Sequence, residues 1–220
     1  MPLLEAEPPT GLLYHVGRDP DPLAWTEWEY VGEGRFDDPE QPRTFRVLYA
    51  AEQRLAAFVE TLQKWRPSIE ALAALELVLP APGGGDAPEE AAGVFPADWR
   101  LKRRIGVLRL LPDQRWLDLR EHETRETLRA RLASTLQTFG YADFDLGDAL
   151  GRDRRLTRAI ARFTYEDGFQ GIAYTSRFDD NFDCWAIFAG ARFEPVDHLP
   201  IAKDDPDLLE AALRFHLKTP

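Results

Sequence analysis

The stretch GRFDDPEQPRTFRVLYAAEQRLAAFVE, residues 34–60, places a turn, a strand and an amphipathic helix in immediate succession. Glycine at the start of the turn lets the backbone approach a ligand closely, because no side chain stands in the way. The Phe, Val and Tyr side chains of residues 45–49 are typical of a pleated, half-buried strand. We therefore expect Arg35 in a tight turn, where its planar charged group can face a pair of phosphates.

The helix after this strand has one apolar face. Apolar residues recur at i, i+3, i+4 and i+7, namely Leu55, Phe58, Val59 and Leu62. This spacing predicts a helix from about residue 52 to about residue 65, ended by Pro67. Glu60 lies more than a quarter turn from that face, so the pattern alone favours a solvated glutamate. Taken alone, Arg35 is an exposed loop arginine and Tyr49 an ordinary strand tyrosine.

A second informative stretch is GIAYTSR, residues 171–177, which is followed by NFDCWAIF, residues 181–188. Together the two stretches resemble the RES domain family, which is named for an arginine, a glutamate and a serine. The family pattern is a Gly-Arg-aromatic turn, a strand ending in Tyr-x-Ala/Ser, a helix with the glutamate, and a glycine-led strand ending in serine. The matching residues here are Gly34-Arg35-Phe36, Tyr49-Ala50-Ala51, Glu60 and Tyr174-Thr175-Ser176.

The resemblance covers about residues 13–193, and the ordered set carries it, since no single motif is specific. One position departs from the family pattern. The residue after the arginine is often Trp or Tyr in the family, and here it is Phe36. A ring remains for stacking, but a Tyr hydroxyl is lost, which suggests a divergent subfamily.

The resemblance implies a fold and an activity. RES domains have a core similar to that of ADP-ribosyltransferase toxins, and characterised members consume NAD by phosphorolysis or hydrolysis of the nicotinamide–ribose bond. They act as toxins that a cognate antitoxin neutralises. The implied partners are therefore NAD, phosphate or water, and an antitoxin. No permanently bound cofactor and no metal are expected.

The residue types fit this chemistry once the resemblance is accepted. Glu60 would stabilise the oxocarbenium-like ribose left by nicotinamide and bind its hydroxyls. Arg35 would hold the two phosphates, and Ser176 would bind the ribose or an incoming phosphate. Tyr49 and Phe36 would offer ring surfaces to nicotinamide or ribose. We expect Glu60, Arg35 and Ser176 to converge in one cleft.

Two other functions share this site. A protein ADP-ribosyltransferase would use the same residues, because the acceptor is decided by what reaches the ribose. A non-catalytic NAD-binding or interaction module could keep the fold, although intact Arg35, Glu60 and Ser176 speak against it. A glycosidase with paired carboxylates is weaker, because no second carboxylate near Glu60 is apparent.

Composition limits the class of protein. The chain has 220 residues, a formal net charge of −11 and one cysteine, Cys184. A general nucleic-acid binder needs a basic face, and the nearest candidate, RLKRR at residues 100–104, is better explained as a solvated approach to a strand. No internal disulfide can form, the N-terminus lacks a signal-peptide pattern, and no run approaches the ~20 apolar residues of a membrane span. We expect a cytoplasmic protein without membrane or nucleic-acid partners.

The remaining pattern predicts a single α+β domain over residues 11–220, with a small mixed sheet flanked by helices and a flexible start at residues 1–10. A Pro/Gly-rich insertion loop is expected at about residues 80–98. Strands are expected at residues 12–16, 76–79, 105–110, 116–119, 171–176 and 184–188. Helices are expected at residues 69–75, 124–139, 153–165 and from 206 onward, the last docking on the sheet or forming a homodimer interface.

Three features have competing explanations. The aromatic run WTEWEY, residues 25–30, is a lid beside Arg35, a patch covered by a partner such as the antitoxin, or core packing. His15 is better explained as a packed strand histidine than as a ligand. The run DDNFD at residues 179–183 has calcium-like spacing, but Cys184 and Gly190 stand where glycine and glutamate are needed, so a polar hairpin turn is expected. Burial of Cys184 in the next strand would make it a poor nucleophile.

Overall fold

The central feature of the fold is a seven-stranded mixed sheet. The structure is a computed structural model that describes residues 3–78 and 93–219. The strands are β1 Leu13–Arg18, β2 Val47–Ala51, β3 Gly93–Val94, β4 Arg103–Leu110, β5 Trp116–Asp118, β6 Gly171–Thr175, β7 Asp183–Phe188, β8 Phe193–Pro200 and β9 Leu217–Lys218. The order in the main sheet is β5-β6-β7-β2-β1-β4-β8, while β3 and β9 form a separate parallel pair.

Seven α-helices flank the sheet in the described chain. They are α1 Arg54–Leu62, α2 Ile69–Val78, α3 His122–Arg131, α4 Ala133–Phe139, α5 Leu146–Leu150, α6 Arg154–Glu166 and α7 Pro206–Arg214. Short 3-10 turns occupy Trp28–Tyr30, Gln63–Trp65 and Arg100–Lys102. The predicted α+β class with a mixed sheet is confirmed. No helix among the described residues has the length and apolar character needed to cross a bilayer.

Strand direction brings the two informative stretches together. Strands β2 and β6 each pair antiparallel with β7, which lies between them. They therefore run in the same direction, and their C-terminal ends lie at the same edge of the sheet. The chain after β2 enters α1, and the chain after β6 begins with Ser176. This topology sets the glutamate of α1 and Ser176 near one another.

The sheet separates two apolar clusters, and side chains alternate between them with a period of two. In β7, Cys184, Ala186 and Phe188 belong to the larger cluster, which also contains residues of α1, α3, α4, α6 and α7. Trp185 and Ile187 belong to the smaller cluster on the other face, against which Trp25 packs. Burial raises the pKa of the Cys184 thiol, which fits the expected poor nucleophile.

The C-terminal helix packs on α1 rather than on the sheet alone. Asp205 is 5% exposed and caps α7 by accepting hydrogen bonds from the backbone N–H groups of Asp207 and Leu208, at 3.1 and 3.2 Å. Its carboxylate also pairs with Arg54 at the start of α1. Leu213 of α7 remains exposed. A dimer interface on this helix remains a prediction.

Several predicted elements are corrected. Residues 76–78 end helix α2 instead of forming a strand. The single helix predicted at residues 124–139 is two helices, separated at Leu132, whose φ of −100° and ψ of 12° interrupt the helix. Strand β8 was not predicted, because it is an edge strand with mostly exposed side chains and two prolines, so it lacks an alternating apolar pattern.

The expected flexible start is also corrected for part of its length. The Asp118 N–H donates to the Leu4 carbonyl at 3.0 Å, and the Ala6 N–H donates to the Trp116 carbonyl at 2.8 Å. The start of the chain therefore extends the sheet beyond β5. Of the predicted insertion loop at about residues 80–98, residues 80–92 lie outside the described chain, whereas Phe95 is buried in the larger cluster.

The cap of α7 gives a stability prediction. Replacing Asp205 by alanine removes the N-cap and leaves the Arg54 guanidinium without its most buried partner. We expect the free energy of unfolding to fall by about 2–3 kcal/mol. Urea unfolding followed by circular dichroism measures it. The control is Glu210→Ala, which removes an exposed pair on the same helix and should cost under about 0.5 kcal/mol. Equal losses for both variants would contradict this account.

Candidate active site

The carboxylate of Glu60 is held by two hydrogen bonds. Ser176 Oγ donates to Glu60 Oε1 at 2.6 Å, and Gln63 Nε2 donates to Glu60 Oε2 at 3.0 Å. Ser176 Oγ in turn accepts from the Phe178 N–H at 3.1 Å, so its proton is directed to Glu60. The carboxylate is therefore fixed on both oxygens, which is the arrangement expected of a preorganised group rather than of a solvated helix glutamate.

The Arg35 turn is shaped by the side chain of Asp37. Its Oδ2 accepts from the N–H groups of Gly32 and Gly34 at 2.7 and 2.8 Å, and its Oδ1 accepts from the Tyr49 hydroxyl at 2.9 Å. Gly32 has a φ of 124°, which favours glycine. A Cβ on Gly34 would overlap the Tyr49 hydroxyl and the Asp37 carboxylate. Both glycines are therefore required by the turn.

Helix α6 holds the same turn from the other side. Thr157 Oγ1 donates to the Arg35 carbonyl at 2.6 Å, and Arg158 Nε donates to the Gly34 carbonyl at 3.1 Å. With the described residues, the Arg35 guanidinium makes one hydrogen bond, from Nη1 to the Ala149 carbonyl at 3.3 Å. The backbone of the turn is therefore rigidly tied, while most donors of the guanidinium stay available to a ligand.

A cavity of about 310 Å³ opens between the turn, α1 and the loop before α6. Arg35, Tyr49 and Glu60 line it, as the predicted convergence requires. Ser176 does not line the cavity and is 1% exposed, so it contacts Glu60 instead of the open space. Its predicted contact with ribose or phosphate stays a prediction, and the contact that the structure shows is the one with the Glu60 carboxylate.

The predicted ring surfaces are only partly present. The Phe36 N–H donates to the Tyr49 hydroxyl at 2.8 Å, and the Phe36 side chain is fully buried, with its ring 4.9 Å from that of Tyr174. Phe36 does not line the cavity, so the structure does not bring its ring to the open space, and its stacking on a ligand stays a prediction. Tyr49 and Tyr174 do line it. Burial, and then the Asp37 carboxylate, raise the pKa of Tyr49, so its hydroxyl stays protonated.

His15 was predicted to be a packed strand residue, and the structure adds a second property. Its Nδ1 lies 2.6 Å from the Tyr49 carbonyl oxygen, so the ring is satisfied by backbone as expected. The ring also lines the main cavity and a smaller one of about 140 Å³. Burial lowers its pKa to about 4, against the raising effect of the Tyr49 carbonyl, so the ring is neutral at pH 7. Nothing in the sequence marked this placement.

Sequence reasoning also missed three arginines and a glutamine. Arg152, Arg154 and Arg177 line the cavity together with Gln63. Arg152 and Arg154 lie at the start of a helix whose sequence is rich in arginine, so their pattern resembles a solvated face. Their placement depends on how α6 packs against the Arg35 turn, which local sequence does not reveal.

Comparison with known proteins identifies a similar fold and a family. The fold is similar to the crystal structure of the M. tuberculosis MbcT–MbcA toxin–antitoxin complex, with a TM-score of 0.56 and 15% identity, over 94% of this chain and 90% of that chain. Among curated proteins, none matches the chain significantly. The family model for the RES domain matches residues 12–209. This chain therefore belongs to the RES domain family.

Proposed function

We propose that the protein degrades NAD by cleaving the bond between nicotinamide and ribose, with phosphate or water as the acceptor. The observation that supports this most is the Glu60 carboxylate, held on both oxygens at the wall of a cavity that also contains Arg35. A fixed carboxylate suits a reaction in which positive charge develops on a sugar.

The reaction assigns one task to each group. Nicotinamide leaves with the electron pair of the broken bond, which neutralises its ring nitrogen and leaves an oxocarbenium-like ribose. The Glu60 side chain stabilises that cation and accepts hydrogen bonds from ribose hydroxyls. An oxygen of phosphate then bonds to the ribose carbon and gives ADP-ribose 1-phosphate. If water attacks instead, ADP-ribose forms and one proton is released.

The other residues of the site position the substrate and the Glu60 carboxylate. Arg35 holds the phosphates of NAD. The backbone of its turn is hydrogen-bonded to Asp37 and α6, so the turn that carries the guanidinium is fixed before the substrate binds. Ser176 and Gln63 hold the Glu60 carboxylate in one orientation. Tyr49 and Tyr174 supply ring surface on the cavity wall.

The first test is NAD consumption by Glu60→Gln. We expect the wild type to consume NAD and the variant to be roughly 100-fold to 1,000-fold slower, because the amide cannot neutralise the ribose cation. Chromatography with mass spectrometry identifies the product. ADP-ribose 1-phosphate indicates phosphorolysis, free ADP-ribose indicates hydrolysis, and protein-bound ADP-ribose indicates a transferase. The matched control is Glu123→Gln, an exposed helix glutamate outside the cavity.

A wild-type protein that leaves NAD intact, with and without phosphate, would overturn the proposal. Calorimetric titration with NAD would then separate a non-catalytic binding module from a protein that does not recognise NAD. Equal rates for the wild type and Glu60→Gln would remove Glu60 from the mechanism.

Ser176→Ala tests the positioning role. The substitution removes the hydrogen bond to Glu60 Oε1 without changing the cavity wall, so kcat should fall roughly 10-fold to 100-fold while KM for NAD stays close to the wild-type value. The control is Thr175→Ala, at the adjacent position of β6. A rise in KM at unchanged kcat would show instead that Ser176 contacts the substrate.

We also propose that the protein is a toxin with a cognate antitoxin. The fold similarity to MbcT, which was solved in a toxin–antitoxin complex, supports this. Trp28 and Tyr30 are 46% and 53% exposed, and Tyr30 lines the smaller cavity, which shares His15, Gly34 and Tyr49 with the main one. A protein that covers these two rings would lie beside the Arg35 turn. Trp25, by contrast, packs against the smaller core cluster, 6.1 Å from the Phe193 ring.

Growth of a bacterial host tests the toxin proposal. Expression of the wild type should stop growth, Glu60→Gln should not, and co-expression of the product of the adjacent gene should restore growth. Trp28→Ala combined with Tyr30→Ala should keep toxicity but escape rescue, because exposed rings at an interface supply much of its affinity. The matched control, Leu213→Ala, changes an exposed apolar residue on α7. Rescue of the double variant as efficient as that of the wild type would exclude this surface.

A further inference from the structure

The charge of the cavity is opposite to that of the chain. Among the described residues, six charged side chains line it, namely Glu33, Arg35, Glu60, Arg152, Arg154 and Arg177. Four are positive and two are negative, and His15 is neutral, so the lining has an excess of two positive charges. The whole chain has a formal net charge of −11. A local positive excess in an acidic protein indicates a site for an anion.

The four arginines also lack carboxylate partners. Ten other arginines of the described chain form ion pairs with Asp or Glu. Within that part of the chain, none of the four in the cavity does. Among residues 3–78 and 93–219, the Arg35 guanidinium donates only to the Ala149 carbonyl, and Arg177 Nη2 donates to Gln63 Oε1 at 2.7 Å. Arg152 and Arg154 have no side-chain hydrogen bond to a described residue. Their donors are therefore free for a ligand.

These charges are close enough to repel each other. The pKa of the Arg177 guanidinium lies below its ordinary value, first because of partial burial and then because of Arg35, with smaller effects from Arg152 and Arg154. Glu60 acts in the opposite direction. Like charges held together in this way are relieved when an anion binds between them.

The cluster is physically joined to the candidate catalytic group. Gln63 accepts a hydrogen bond from Arg177 through Oε1 and donates to Glu60 through Nε2. Arg177 also directly follows Ser176, which holds the other oxygen of the same carboxylate. Arg152 comes from the loop before α6, where Gly151 also lines the cavity, and Arg154 is the first residue of α6. The anion site therefore borders the position where Glu60 would act.

We infer that Arg152, Arg154 and Arg177, together with Arg35, bind the diphosphate of a dinucleotide substrate. The planar guanidinium group matches phosphate oxygens in bidentate fashion, and a diphosphate ester supplies about two negative charges against the positive excess of two. The inference deepens the proposed function and takes its substrate class from it. Free orthophosphate, the acceptor in phosphorolysis, has the same chemistry, so the test must separate the two.

Calorimetric titration with ADP, AMP and adenosine tests the site without catalysis. The wild type should bind ADP most tightly and adenosine most weakly. Arg152→Gln, Arg154→Gln and Arg177→Gln should each weaken ADP binding roughly 10-fold, because each removes a charge-assisted hydrogen bond, and should leave adenosine binding unchanged. All three side chains are exposed, so these variants should fold, which thermal unfolding checks.

The matched control is Arg155→Gln, which removes the same charge one residue further along α6. Arg155 pairs with Asp153 at 2.6 Å and does not line the cavity. Its ADP affinity should stay within about twofold of the wild type. If Arg155→Gln and Arg154→Gln lost equal ADP affinity, the loss would come from the change in net charge alone. That result would overturn the proposed site.

Kinetics with two substrates distinguishes this inference from the proposed function. In Arg152→Gln and Arg154→Gln, KM for NAD should rise roughly 10-fold, while kcat/KM for nicotinamide riboside, which has no phosphate, should fall by less than about twofold. Arginine-dependent ADP binding in a protein that cleaves neither substrate would support the site and reject the proposed activity. NAD cleavage with unchanged ADP affinity in all three variants would overturn the site. Variants impaired only in their response to orthophosphate would reassign the arginines to the acceptor.

Discussion

One buried carboxylate organises the candidate active site. Asp37 accepts hydrogen bonds from two backbone N–H groups of the turn and from the Tyr49 hydroxyl, which itself accepts from the Phe36 N–H. This network joins the turn to strand β2 and decides which side chain faces the cavity. Arg35 faces it, whereas Phe36 is directed into the core. The position of the charged group is therefore a result of structural hydrogen bonding, and it needs no ligand to form it.

The second organising element is the pairing of Glu60 with Ser176 and Gln63. Hydrogen bonds to a carboxylate lower its freedom to rotate, so no reorganisation is needed when positive charge appears nearby. The Gln63 amide also accepts a hydrogen bond from Arg177. It therefore joins the Glu60 carboxylate, which suits a cation, to the arginine cluster, which suits an anion. Binding at the anion site is thereby linked to the orientation of the carboxylate, which is one way in which remote binding energy serves a reaction.

Much of the fold and part of the candidate active site could be predicted from the sequence. The turn and α1 follow from glycine and an apolar face, both of which are local, whereas the strand expected as half-buried at residues 45–49 is Val47–Ala51 and is largely buried on both faces. Glu60 could be found only by family resemblance, because its position on the helix is that of a solvated residue. Its bond to Ser176 depends on β2 and β6 running in the same direction, which is a property of the sheet. Phe36 points into the core because of a long-range contact with Tyr49. Arg152 lines the cavity because of how α6 packs, and neither contact leaves a local sequence pattern. Edge strand β8 escaped prediction because it buries too little to show a period.

The pairing of residues 4–6 with β5 has a consequence for solubility. A short strand at the end of a sheet normally offers a row of unpaired backbone groups to other molecules. Here the start of the chain covers that row with its own N–H and carbonyl groups at Leu4 and Ala6. At the opposite end of the sheet, β8 includes Pro195 and Pro200, each without a backbone N–H. Both margins of the sheet are therefore partly protected from pairing with a foreign strand, by the start of the chain at one end and by two prolines at the other.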